Sequence, residues 1–538
     1  MKVRGIEGSS LVFRSVQWKR LPAFTLIAWL MFGSASIVDS QSLPDKNQKN
    51  SHEKISRKGH KAIRSGKYDE AIKLFKGIIE QDPANPQAHL GLALTYLKLQ
   101  DYVLCFDYAS LVIKAEQNIA RAYSLAGIAL LRSGFVDNSV AALNRALELD
   151  KKDALAFGAA AEVDYYEGRA KESRLKALYA YSLDPEEPDY LITVARSCSR
   201  LELFAEAAEA YQRFLLISPL NDAERRDRIR GLIDFYRKLA GVQVHQVAGP
   251  VASDTPFQLG SDRRPYLKVK LNGREANFVI DTGSGFTVIS KDAAKKFGVS
   301  AIARGGTSQG VGGNGKFPIV YGLIRSFEIG EMKIRSIPCF IRPFHGSVER
   351  PEGERADGFI GLSILAHFIT ELDYKDKLVR LNRNMNETPV SNPSENMTVV
   401  PFRTTQNGLI SVETELEGAH RINAILDSGA SSTVISKAAV KRLNMREQII
   451  KGQSARVIGA AGITDNVELL FIRNCRVADL EQTNIRALVL DFAAINETSG
   501  FEQSGILGGD FLRNFRITID FGRGQVAFEP HSALVTRK

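Results

Sequence analysis

The sequence predicts a multidomain chain: an N-terminal all-α solenoid of helical repeats, then a mostly-β half built as two lobes. Two observations carry that expectation. Between residues 52 and 221, small residues recur every 34 positions, at Gly59, Ala93, Gly127, Ala161 and Ala195, and again at Ala71, Cys105, Ser139, Ser173 and Ala207. Further on, the apolar run Phe278-Val279-Ile280 enters Asp281-Thr282-Gly283-Ser284, and Ala424-Ile425-Leu426 enters Asp427-Ser428-Gly429-Ala430. In both copies the quartet Thr-Val-Ile-Ser begins six residues after the Asp. One Asp-Thr/Ser-Gly tripeptide would mean little, since turns make such tripeptides often; two with matching flanks mean a repeat.

The echo continues downstream. Gly358-Phe359-Ile360-Gly361 precedes Leu365, Phe368, Asp373 and Tyr374, while Gly505-Ile506-Leu507-Gly508 precedes Leu512, Phe515, Asp520 and Phe521. The Asp motifs stand 146 residues apart (427 − 281) and the Gly motifs 147 apart (505 − 358). The β half is an internal duplication with one net inserted residue.

A chain of 538 residues has room for three or four domains with real cores. Its 44% hydrophobic and 25% charged content is that of ordinary globular protein. The net charge of +10 is spread along the chain, with no basic patch interleaved with aromatics. Nucleic acid is therefore not an expected partner. Residues 1–40 read as a targeting segment: Lys19-Arg20, an apolar core from Leu21 to Phe32, then Gly33-Ser34-Ala35-Ser36. The alternative is an uncleaved membrane anchor through residues 21–38, which is just long enough to span. Either reading exports the rest, as a periplasmic or secreted protein. Cys105, Cys198, Cys339 and Cys475 form no Cys-x-x-Cys pair and no ligand cluster with His, so no metal site is expected. They read as small buried hydrophobes.

Residues 52–240 read as five repeats and a capping helix. Gly66, Gly134 and Gly168 mark turns, and Pro83, Pro185 and Pro219 close repeats. The unit Gly66-Lys67-Tyr68-Asp69-Glu70-Ala71 and the period resemble the tetratricopeptide repeat. Departures are the missing Trp near each repeat start, and Gln117 and Lys151 in place of the closing Pro. Ala223–Ala240 is charged and amphipathic and is expected to cap the open end. The resemblance implies a concave groove for a protein partner; a spacer role is the alternative.

Residues 241–258 read as a linker, 259–384 as lobe 1, 385–398 as a flexible connection and 399–533 as lobe 2. Each lobe opens with a hairpin, turning at Asn272-Gly273 in the first and Glu417-Gly418 in the second. Gly310-Val311-Gly312-Gly313-Asn314-Gly315-Lys316-Phe317 imitates a phosphate-binding loop. It is followed by Pro318 and a strand-like run, not by a helix whose N-terminus could hold phosphate. A glycine-rich hairpin tip fits it better, with Gly459-Ala460-Ala461-Gly462 in the corresponding place of the second copy.

Taken together, the two Asp loops, the glycine-rich hairpins and the apolar-apolar-Gly segments resemble the aspartic proteases of the pepsin and retropepsin type. The resemblance covers roughly residues 259–533. Because neither hairpin carries a clear flap-tip Tyr, the likeness is closer to fused retropepsin halves. It implies Asp281 and Asp427 as a catalytic pair, with Thr282, Gly283, Ser428 and Gly429 bracing the two loops. It also implies flap tips at Gly310, Gly312, Gly313, Gly315, Gly459 and Gly462, and loop support from Ile360, Gly361, Leu507 and Gly508. Such a site cuts a polypeptide substrate with an activated water and needs no cofactor or metal. Two alternatives stand beside it: an exported adaptor that only binds peptides, and lobes that pair between chains. The residue after each motif differs. The Ser284 hydroxyl is expected to donate to Asp281 and favour its ionised form, leaving the proton on Asp427.

Overall fold

A computed structural model describes residues 46–313, 315–344, 355–383, 397–531 and 536–537. The targeting segment, nearly all of the connection at 385–398, Asn314 and the last residues of the second lobe lie outside them. No helix among the described residues is long and apolar enough to cross a membrane.

The array consists of α1 (Lys46–Arg64), α2 (Tyr68–Ile79), α3 (Pro86–Lys98), α4 (Tyr102–Ala115), α5 (Ala120–Arg132) and α6 (Val136–Leu149). It continues through α7 (Ala154–Tyr166), α8 (Ala170–Leu183), α9 (Asp189–Arg200), α10 (Phe204–Ile217) and α11 (Ala223–Leu239). That is five helix pairs and a closing helix. The 34-residue rows explain the packing. Ala71, Cys105, Ser139, Ser173 and Ala207 are all 0% exposed, and a larger side chain there would push paired helices apart. Asn85, Asp101, Asp153 and Asp222 cap their helices by accepting from the backbone N–H of the third helical residue. The turns share one geometry: residues 66, 100, 134, 168 and 202 all have left-handed φ, between +60° and +85°. Glycine fills three of these positions without penalty; Gln100 and Glu202 hold the other two.

The first lobe contains β1 (Gln246–Ala248), β2 (Ala252–Leu259), β3 (Pro265–Leu271), β4 (Arg274–Ile280), β5 (Thr287–Ser290) and β6 (Ala301–Gln309). It continues with β7 (Lys316–Ile329), β8 (Met332–Arg342), β9 (Gly358–Ile360), β10 (Ile369–Asp373) and β11 (Leu378–Asn382). The second contains β12 (Thr398–Pro401), β13 (Arg403–Thr404), β14 (Ile410–Leu416), β15 (His420–Leu426), β16 (Val434–Ser436) and β17 (Ile449–Gly459). It ends with β18 (Gly462–Val477), β19 (Leu480–Leu490), β20 (Gly505–Leu507), β21 (Phe515–Asp520), β22 (Gln525–Pro530) and β23 (Thr536–Arg537).

The duplication holds at the level of register. Asn272-Gly273 joins β3 to β4 as a two-residue turn with both φ positive. The second lobe turns at Glu417-Gly418, likewise with both φ positive. Leu271 lies opposite Phe327, and Leu416 lies opposite Cys475, so those two buried residues occupy equivalent places. All four cysteines are buried and free.

The stretch 241–258 is not a linker. β1 pairs with β8, and β2 pairs with both β3 and β11. The alternation in β2 is real but hidden, because its inward positions include Ser253 and Thr255, polar residues only 4% and 7% exposed. A six-stranded antiparallel run, β12-β22-β21-β10-β11-β2, crosses from one lobe to the other. β10 and β21 meet at its centre, Thr370 opposite Ile519, with Arg516 donating to Asp373 at 2.8 Å. Residues of both lobes form one continuous core.

Nor is α11 only a cap. Its residues Ile229, Ile233, Phe235 and Tyr236 share a core with Ala303, Ile319 and Tyr321 of the first lobe, and Phe235 stacks on Tyr321 at 4.2 Å. β6 bulges between Arg304 and Thr307 to admit the helix. There Gly231 meets Gly305 so closely that a Cβ on Gly231 would stand 2.6 Å from the Gly305 carbonyl oxygen. Gly231→Val is expected to lower stability by about 1–3 kcal/mol, the usual cost of overpacking a closed contact, read as a lower urea midpoint at unchanged slope.

Candidate active site

Asp281 and Asp427 follow strands held in the same way. β4 runs parallel to β9, and the Asp281 N–H donates to the Ile360 carbonyl at 3.0 Å. β15 runs parallel to β20, and the Asp427 N–H donates to the Leu507 carbonyl at 3.1 Å. Gly361 and Gly508 sit against the Phe286 and Ser432 carbonyls, where a Cβ would collide. The apolar-apolar-Gly segments therefore support the loops.

Between the loops runs a reciprocal set of hydrogen bonds. The Thr282 hydroxyl donates to the Leu426 carbonyl at 2.8 Å and accepts from the Ser428 N–H at 2.9 Å. The Ser428 hydroxyl donates to the Ile280 carbonyl at 2.8 Å and accepts from the Thr282 N–H at 3.1 Å. Both side chains are 2% exposed, so no water competes for these groups. The loop glycines have a steric reason as well. A Cβ on Gly283 would collide with the Asp427 carboxyl, and one on Gly429 with the Asp281 carboxyl. Each carboxylate lies over the opposite loop, close enough for the two to interact strongly.

Burial pushes both carboxyls above the ordinary range. Asp281 goes well above it, because burial is reinforced by the Asp427 charge, with Arg264 and the Gly283 N–H opposing. Asp427 rises less, because the neighbouring Asp281 and the N–H groups of Gly429 at 2.8 Å and Ala430 at 2.9 Å favour its charged form. Asp281 accepts a single loop N–H, from Gly283 at 3.0 Å. The backbone donors therefore favour charge on Asp427, the opposite sense to the one expected from the Ser284 hydroxyl. The Ser284 hydroxyl donates to the Phe286 carbonyl at 2.8 Å, so it does not tune Asp281. The asymmetry comes from backbone N–H groups, which the residue letters at 284 and 430 do not show.

The two hairpin tips meet each other and line the same cavity as the carboxylates. In the β6–β7 tip, the Gly310 N–H donates to the Gly315 carbonyl and the Gly315 N–H to the Gly312 carbonyl, both at 3.0 Å. The Ala461 N–H at the β17–β18 tip donates to the Val311 carbonyl at 3.0 Å. Gly312 and Gly313 lie against Gly462 and Ala461, and Gly459 lies against Val311, too close for side chains. The first tip is braced from the array. Gly306 N–H donates to Asp227 at 3.0 Å, and the Thr307 hydroxyl and Lys316 Nζ reach Glu224, at 2.9 and 2.6 Å.

Two arginines escaped the sequence reading. Arg264 carries its charge toward both carboxyls while paired with Asp262 at 2.7 Å. Arg342, 9% exposed, donates to the Ala460 carbonyl of the opposite hairpin at 2.9 Å and lies over Phe317, Phe344 and Phe359. Neither belongs to a motif, and only the fold brings them to the carboxylates. One continuous cavity of about 2910 Å³ joins Asp281 and Asp427 to the inner wall of the array, including Leu97, Val103, Glu162 and Arg196.

Residues 267–364 and 412–511 each match the family model described as aspartyl protease, and residues 62–104 match a tetratricopeptide repeat model. The β half thus matches the aspartyl protease model twice, behind a region that matches the tetratricopeptide repeat model. Among curated proteins, the chain is similar to RNA polymerase II-associated protein 3 of Homo sapiens, 28% identical over 96 residues, 18% of this chain and 14% of that protein. The same protein of Xenopus tropicalis is 30% identical over 93 residues, again 14% of its length. The chain therefore spans about a seventh of the curated relatives it matches. Among solved structures, an aspartic proteinase from Irpex lacteus aligns at TM-score 0.34 and 12% identity, over 53% of this chain and 98% of that one. A thermophilic tetratricopeptide protein from Thermus thermophilus aligns at TM-score 0.29 and 19% identity, over 36% of this chain and 100% of its own.

Two outcomes follow from the loop geometry. Ser428→Ala leaves the Thr282 N–H and the Ile280 carbonyl unpaired in a dry site and is expected to cost about 1–3 kcal/mol in a urea unfolding curve. Ser284→Ala touches neither carboxyl, so the acid limb of any pH–rate profile is expected to stay in place.

Proposed function

We propose that the chain is an exported aspartic endopeptidase in which Asp281 and Asp427 act as one catalytic dyad. The observation that carries the reading is the pair of buried carboxyls, each set over the opposite loop's glycine, in a cavity that two meeting hairpin tips also line. Two such groups cannot both ionise cheaply, so they hold one proton between them. In the ground state Asp427 is ionised and Asp281 protonated. Asp427 draws a proton from a water lodged between them, and that water attacks the peptide carbonyl carbon. Asp281 hydrogen-bonds the carbonyl oxygen as charge develops there. The tetrahedral species then collapses with a proton passing to the leaving amine, and no covalent intermediate forms. Arg264 supplies positive charge facing both carboxyls. A binding-only adaptor has no use for a like-charge pair held this close.

The array is part of the proposal as a docking wall. The cavity running from the dyad along the repeats suits a polypeptide that lies in the groove while one peptide bond sits between the lobes. Leu99 and Val103, 43% and 69% exposed, present apolar surface on that wall. Export rests on residues 1–40 and is tested by N-terminal sequencing of the protein recovered from cells.

Asp281→Asn and Asp427→Asn are each expected to lower kcat/KM on a peptide library by about 10²–10⁴-fold or more, with the double variant no worse than either. Near-normal activity in either single variant would sink the dyad. Stability should move the other way. A carboxyl whose folded pKa lies above its unfolded value destabilises the fold as pH rises through that interval. Asp281→Asn is therefore expected to raise Tm at neutral pH, with the gain fading as pH falls toward the ordinary carboxylate range. For docking, Val103→Asp is expected to raise KM several-fold for a long substrate while leaving a short peptide unaffected.

A further inference from the structure

A second cluster of ligand-type side chains lies on the seam between the array and the first lobe. Glu202 occupies the turn between α9 and α10, His245 immediately precedes β1, and His367 follows the short helix Leu362–Leu365. One donor atom from each, a nitrogen from either imidazole and a carboxylate oxygen, lies within 4.8 Å of the others. The two rings face one another with centroids 4.3 Å apart. His245 Nδ1 stands 3.4 Å from Glu202 Oε1, while His245 Nε2 is buried without a hydrogen-bond partner. An ordinary His–Glu contact accounts for two of these groups and leaves the second imidazole pressed against the first without a reason.

The backbone adds an independent observation. Glu202 and His245 both adopt left-handed φ, +60° and +50°. At the turn position of Glu202, three of the other four repeats carry a residue of matching conformation that is glycine. A β-carbon there is strained, which a side chain with a task would offset.

We propose that Glu202, His245 and His367 bind a divalent transition ion, Zn²⁺ before others, clamping the repeat array to the first lobe. Two imidazole nitrogens and one carboxylate suit zinc and ill suit Ca²⁺ or Mg²⁺, which take oxygen donors. Bonds of about 2.0–2.1 Å place tetrahedral donors about 3.4 Å apart, the spacing His245 and Glu202 already have. The remaining span closes by rotation of Glu202, whose side chain is 45% exposed. Three protein ligands leave the fourth position to water. All three residues line the large cavity, so an aqueous ion can reach them. The site is independent of the carboxylate dyad and stands or falls without it. It departs from the expectation of no metal because its members are 43 (245 − 202) and 122 (367 − 245) residues apart, beyond any ligand-spacing motif.

The test uses the full chain, stripped with a chelator and titrated with Zn²⁺ alone by calorimetry, with Ca²⁺ as the comparison. One saturable Zn²⁺ per chain, a rise in Tm on binding, and visible Co²⁺ bands of tetrahedral type are expected. His367→Ala and Glu202→Gly should each weaken binding at least 10-fold and abolish both the Tm rise and the Co²⁺ bands. Glu202→Gly also relieves the turn, so its metal-free Tm should not fall, and lost binding there cannot be misfolding. Absence of saturable binding, equal response to Ca²⁺, or unchanged affinity in both variants would overturn the site.

Discussion

Two buried carboxyls side by side repel each other, and the structure depends on the bonds that hold them there. Thr282 and Ser428 each donate a hydroxyl to the strand entering the other loop and each accept the other's backbone N–H. Four bonds in a dry site make a lock that neither loop could form alone. A hydroxyl can donate and accept at once, which is why the residue after each Asp is Thr or Ser and not Val or Ala. The lock fixes the separation of the carboxyls. The glycines that follow remove the Cβ atoms that would stand where those carboxyls lie.

That lock would fail if the lobes moved independently. The strand pairs β4–β9 and β15–β20 anchor each loop from behind, and the run from β12 to β2 joins the lobes below. The electrostatics follow from the same frame. Asp427 gathers two loop N–H groups and Asp281 only one, so two nearly identical loops give their carboxyls different surroundings. A difference of one backbone donor suffices, because hydrogen bonds to a charged group count for more than those to a neutral one.

Much of this is legible in the sequence, for identifiable reasons. The 34-residue rows survive because helix packing tolerates only small residues at those points. The Asp loops survive because each letter there has a steric or hydrogen-bonding task. What stays hidden depends on tertiary approach. β2 reads as linker because buried Ser253 and Thr255 mask its alternation. Ser284 misleads because its letter promises a donor but its orientation sends the hydroxyl to Phe286. Arg264, Arg342 and the Glu202–His245–His367 cluster belong to no local pattern, and only the closed fold assembles them.

The array breaks the symmetry that duplication created. Both lobes raise a glycine-rich hairpin, yet the first is gripped near its tip by α11 through Asp227, Glu224 and the Gly231–Gly305 contact. The bulge in β6 exists to admit that helix, and the stacked Phe235 and Tyr321 continue the array's core into the lobe. A helix that merely capped a solenoid would present a polar outer face. Here Phe235 is buried against Phe286 and Tyr321 of the neighbouring lobe, so the closing helix of the repeat array also supports one hairpin. Whatever fills the groove therefore lies against the same helix that holds one side of the cleft.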